Sequence, residues 1–161
     1  MDTLVQSPDR ALYETDEHAW LARQVELLRD GNLHLLDRDS LIDLLESMGR
    51  RDIRQLRRRF VVLLSHLLKM SRQSERHTRS WNSTVLTQQR ELRSLLQDWP
   101  SLAARREEFL AETYPDAVAL AAAETGLPVH HFPPRSPWTA DEALAFQPPY
   151  PPAPVTYRQK R

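Results

Sequence analysis

The sequence predicts an all-α protein, a single-domain, bundle-like array of five or six helices followed by a proline-rich C-terminal tail. Three observations predict it. The chain holds only three glycines, and nine of its twelve prolines fall after residue 127, so the first four-fifths is almost free of helix breakers. Apolar residues recur there at spacings of three and four. Capping residues precede several of these runs, and glycines follow them. At 161 residues the chain can bury a core without staples.

Residues 1–11 read as a flexible N-terminal arm, 12–146 as the helical domain and 147–161 as a proline-rich, disordered tail. Thr15, Asp16 and Glu17 suit a helix start, Trp20, Leu21, Gln24, Leu27 and Leu28 give the periodic face, and Gly31 supplies a stop. Asp37 or Asp39 caps a second helix, whose stripe is Leu41, Leu44, Leu45 and Met48 and whose end is Gly49. A third runs from about Arg50 to Arg72. Its apolar arc broadens around residues 60–68, which predicts the central, most buried helix. Ser71 to Ser80 reads as an ordered connection.

A fourth helix is expected from near Ser80 or Asn82 until Pro100 stops it, and Ser101 is expected to cap a fifth. Pro115 interrupts that fifth helix, predicting either a kink or two helices meeting at Thr113 to Pro115, and Gly126 closes it. The four prolines between Pro128 and Pro137 exclude a helix, with Phe132 as anchor. Thr139 and Glu142 match a capping box for a short last helix over 140–146.

Lys and Arg total 22, as do Asp and Glu, yet the charge is segregated. Residues 9–46 hold ten acidic and four basic residues, net −6, and residues 50–79 hold ten basic and two acidic, net +8. Cysteine is absent, which excludes disulfides, thiolate nucleophiles and cysteine-ligated metals. No stretch approaches the ~18 uncharged apolar residues of a membrane span, and the first ten residues lack a basic segment followed by an apolar run. A cytoplasmic protein with no membrane partner is expected.

Several short runs are distinctive together: Leu45-Glu-Ser-Met-Gly49, His66-Leu-Leu-Lys69, Ser80-Trp81 with Thr84 and Gln88, Pro100-Ser-Leu102 and Glu124-Thr-Gly-Leu127. In order and spacing, over roughly residues 12–146, the chain resembles the bacterial family known as domain of unknown function number twenty-nine. The resemblance implies an all-helical domain and no established activity, cofactor or substrate. The family often carries a Cys before the Pro-Trp pair, where this chain has Ser136, so a thiol role is lost here.

His66, Lys69, Gln73 and Arg76 are three or four residues apart, so a continuing helix places them on one polar ridge. With Arg79 and Trp81 they form the candidate binding patch, able to cradle a phosphate or, through His66, to move a proton. The blander reading, which the residues favour, makes His66 a core histidine bonded to a carboxylate such as Glu46.

Arg50, Arg51, Arg54, Arg57, Arg58 and Arg59 wrap around their helix rather than sharing a face, which weakens a groove-reading role. His130 and His131, adjacent on an extended strand, are expected to point oppositely and hold no metal. Glycine-rich phosphate loops, His-Glu-x-x-His and Gly-x-Ser-x-Gly are absent. No cofactor is expected, and the reading leans away from an enzyme. It settles on a small binding or regulatory module with a protein partner. The alternative is a nucleic-acid-binding protein, a nuclease included, using residues 50–79.

Overall fold

The computed structural model describes residues 8–149, and within them it holds seven α-helices and no strand. These are α1 Pro8–Thr15, α2 Glu17–Arg29, α3 Arg38–Arg72, α4 Arg79–Asp98, α5 Pro100–Ala103, α6 Arg106–Thr125 and α7 Ala140–Ala145, with 3₁₀ turns at Leu33–Leu35, Ser74–Arg76 and Val129–His131. The all-α class holds, with more helices than expected. The proposed arm is helical from Pro8, and residues 1–7 and the tail from residue 150 lie outside the described residues. By its contacts the chain divides into two compact units, residues 1–52 and 53–161.

In the first unit, Asp16 caps α2 by accepting a hydrogen bond from Ala19 N at 3.0 Å. Trp20 is fully buried, 4.7 Å from the Tyr13 ring, and its indole N–H donates to Asp37 at 3.2 Å. Asp37 is the residue that starts α3, since its carboxylate also accepts from Ser40 N at 3.3 Å. Gln24 accepts from the Asp37 amide at 2.9 Å. These bonds join α2 to the start of α3 through polar groups, and Trp20 is the sole buried hydrophobic side chain among the described residues of this unit.

The expected break at Gly49 does not occur: α3 is one helix of 35 residues. A mid-helix glycine costs only about 1 kcal/mol relative to alanine, and Arg50 and Arg51 favour the helix that follows. Nothing at Gly49 demands a positive φ, which the described glycines adopt only at Gly31 and Gly126.

The second unit is built on the C-terminal part of α3. Leu56, Phe60, Leu63, Leu64, Leu67 and Leu68 are completely buried, so this stretch is covered on several sides, as its broad apolar arc predicts. Val85, Leu92 and Leu96 of α4 and Phe109, Leu110, Tyr114, Ala117 and Ala121 of α6 complete the core. Thr78, not Ser80 or Asn82, begins α4 by accepting from Trp81 N.

Pro100 ends α4 but opens the short α5, where a first-turn proline loses no helical bond. Ser101 therefore sits inside α5 and caps nothing, and α6 starts with no side-chain cap. Pro115 does not split α6, because its ring lies on the exposed face while Tyr114, Ala117 and Val118 on either side are buried. The capping box Thr139–Glu142 is present, and buried Gln89 pins the end of α7 by donating to the Ala143 and Phe146 carbonyls at 3.0 and 2.8 Å.

Two glycines test this account with opposite signs. A Cβ added at Gly49 meets no atom within 4 Å, so Gly49→Ala is expected to raise stability in urea unfolding by about 0.5–1 kcal/mol. Gly126 closes α6 at φ +73°, so Gly126→Ala is expected to lower it by about 1 kcal/mol or more.

Candidate functional site

Lys69 lies on the last turns of α3 with its side chain only 5 % exposed, so its ammonium needs partners inside the protein. It has three. Glu124, near the end of α6, forms an ion pair with it. The Trp81 ring of α4 lies 4.9 Å from Nζ, within cation–π range. His66 Nε2 stands 3.4 Å from Nζ, one turn back on α3.

His66 Nδ1 is 2.9 Å from the Val62 carbonyl, so that nitrogen carries the proton and donates, leaving Nε2 to accept from Lys69. Burial holds His66 below the usual imidazole range. The Lys69 charge pushes the same way, while the Val62 bond and Glu124 oppose it. Gln73, also buried, extends the cluster by donating to the Thr125 carbonyl at 3.2 Å.

Four of the six expected patch residues, His66, Lys69, Gln73 and Trp81, thus converge where α3, α4 and α6 meet. Arg76 and Arg79 do not join them. The ridge required α3 to continue, but it ends at Arg72, and both arginines are exposed with no side-chain hydrogen bond or ion pair among the described residues. The carboxylate beside His66 is Glu124, not Glu46, which is held by Arg50 at 3.0 Å. His77, close to the ridge in sequence, hydrogen-bonds Asn82 with its ring 6.2 Å from Trp81. Glu124 stands inside one of the distinctive runs, but nothing local ties it to a lysine 55 residues away.

The arginine cluster is partly neutralised from within. Arg50 pairs with Glu46, Arg57 with Glu112 and Arg59 with Glu91, leaving Arg51, Arg54 and Arg58 exposed without an ion pair among the described residues. His130 and His131 occupy a 3₁₀ turn instead of a strand, so their rings come within 4.8 Å of each other rather than pointing apart. Among the described residues no three His, Asp or Glu side chains gather to hold a metal ion, and no helix is long and apolar enough to cross a membrane.

The family model described as Domain of unknown function DUF29 matches residues 12–147. The chain belongs to that family. No curated protein and no solved structure matches it. The cluster in this DUF29 chain is therefore described by its own geometry: a neutral histidine, one carboxylate and an indole gathered around a buried ammonium.

The depressed His66 pKa fixes a pH dependence. An unfolded His66 binds a proton near pH 6.5, above the folded value, so its contribution to stability is present above 6.5 and falls away as the pH drops through the folded value. Between pH 7.5 and 5.5 the melting temperature of this DUF29 chain should fall further than that of His66→Asn, whose amide can still donate to Val62. Thermal scans of both proteins across that range check it, and parallel curves would show that His66 does not titrate as a buried neutral group.

Proposed function

We propose that this chain is a small helical module that acts in the cytoplasm by binding another protein. The observation that carries this is the exposed apolar face of residues 25–48. Leu28, Leu33, Leu35, Ile42, Leu45 and Met48 are each about half exposed or more, from 46 to 64 %, in a unit with a single buried hydrophobic side chain among its described residues. Scattered apolar residues are ordinary on a surface, whereas this density in so short a stretch marks a face that is covered in use. Ile42, Leu45 and Met48 repeat every three residues along α3, which suits the apolar side of a partner helix. The net charge of −6 over residues 9–46 favours a partner with a basic rim.

On this reading the His66–Lys69–Trp81–Glu124 cluster is the clamp that orders the far end of α3. Arg76, Arg79 and the open side of Trp81 are what that patch offers a partner. A second reading, nucleic-acid binding through residues 50–79, is favoured by the exposed and uncommitted Arg54 and Arg58, four residues apart on one helix face.

The double variant Leu45→Glu/Met48→Glu separates these readings. Protein binding predicts loss of the recovered partner with a change in stability within about 0.5 kcal/mol, as for surface substitutions. A melting temperature lowered as for a core substitution would mean that the face is covered within the chain, and the reading fails. Light scattering reveals whether the lost partner is a second copy. Nucleic-acid binding instead predicts gel shifts that survive this variant and weaken steeply between about 50 and 200 mM salt.

A further inference from the structure

The segment that ends and follows α7 is led along α4 by three side chains of one stripe. Arg93 donates to the Leu144 carbonyl, buried Gln89 to those of Ala143 and Phe146, and Asn82 to that of Pro149 at 3.0 Å. Asn82, Gln89 and Arg93 follow at steps of seven and four residues, so they share one face of α4. Gln89 and Asn82 lie about 10 Å apart along the helix axis, a distance the chain from Phe146 to Pro149 covers only when extended. Phe146, at φ −56° and ψ 129°, already has near-polyproline geometry. The chain therefore runs, extended, toward the start of α4.

What stands there is aromatic. Asn82 uses both ends of its amide: Nδ2 holds the Pro149 carbonyl and Oδ1 is bonded to His77 Nε2. The His77 ring lies 6.2 Å from the Trp81 ring, and both residues are only partly buried. The Trp81 indole N–H makes no hydrogen bond among the described residues.

The next residues in the sequence, Tyr150-Pro-Pro-Ala-Pro154, lie outside the described residues. Proline rings fix φ at 151, 152 and 154, and residues 150, 151 and 153 each precede a proline, which favours extended backbone throughout. A segment restricted in this way loses little freedom on docking, and aromatic surfaces are what such segments fit. At about 3.1 Å per residue, Tyr150 to Pro152 reach about 9 Å beyond Pro149, far enough to pass the His77 ring that shares Asn82 with it. We propose that the His77–Trp81 face is a docking surface for a tyrosine–proline segment, and that its occupant is this chain's own Tyr150–Pro154, continuing the path along α4. A protein that engages Arg76, Arg79 and Trp81 must then displace this strap. The assignment stands apart from the apolar face of residues 25–48.

NMR of the full-length, isotope-labelled protein tests it. Nuclear Overhauser contacts are expected between the Tyr150 ring and the ring of His77 or Trp81. Asn82→Asp keeps an acceptor for His77 and removes the donor to Pro149, so these contacts should be lost while the melting temperature holds. Their absence from the unaltered protein, or their persistence in Asn82→Asp, overturns the proposal.

The peptide Pro-Tyr-Pro-Pro-Ala-Pro is also titrated into two full-length proteins while the Trp81 indole N–H resonance is followed. Tyr150→Ser/Pro152→Ser, whose own strap is disabled, should bind the peptide saturably. The unaltered chain should bind it about tenfold more weakly, because a tethered occupant competes at an effective concentration on the order of millimolar. Equal binding by the two proteins, or no saturable shift in the variant up to about 20 mM peptide, overturns the proposal. So do contacts seen only between differently labelled chains of a mixture, which assign the strap to a second copy.

Discussion

The burial of α3 between Leu63 and Met70 is the constraint on which the second unit depends. A helix covered on several sides has no solvent-facing strip for its polar residues, so each polar group in that stretch must find a partner inside. Ser65 turns its hydroxyl back to the Val62 carbonyl, His66 uses the same carbonyl, Lys69 meets Glu124 and Gln73 reaches the Thr125 carbonyl. Those demands position the neighbours: the end of α6 has to bring Glu124 and Thr125 to α3, and the start of α4 has to bring Trp81 over the ammonium. Leucine packing supplies the driving force, while the polar groups restrict which registers of the three helices are allowed.

The same contrast explains what the sequence made legible. Periodicity is local, so the helical faces, the broad arc of α3, the Gly126 stop and the Thr139–Glu142 box could all be read from neighbouring residues. Punctuation was less dependable because its effect is small beside tertiary packing. Gly49 weakens a helix without ending it when nothing requires a left-handed residue there. Pro115 removes one bond from the exposed side of a helix whose other side is held by Tyr114, Ala117 and Val118.

For the candidate site, the pairs within one helix were visible and the pairs between helices were not. His66 and Lys69 touch because they are three residues apart, whereas Lys69 and Glu124 touch because α3 and α6 pack together. Arg76 was placed on the ridge by extending a helix past its real end at Arg72, an error of boundary rather than of chemistry. The arginines that seemed to wrap α3 aimlessly are sorted by contacts that spacing does not reveal, since Arg57 and Arg59 are taken up by Glu112 and Glu91.

The way the cluster is satisfied also bears on where activity can reside. A general base needs a free lone pair, and both His66 nitrogens are engaged, one with the Val62 carbonyl and one with Lys69. An electrophilic or anion-binding lysine needs a free donor direction, and Lys69 already faces Glu124, His66 and the Trp81 ring. A group so fully paired can take a ligand only by giving up existing bonds in a buried setting, where the unmet partner carries the larger penalty. Unsatisfied capacity lies elsewhere, in the exposed apolar residues of 25–48. Incomplete satisfaction, more than density of polar residues, is what separates a surface that can act from one that holds the fold.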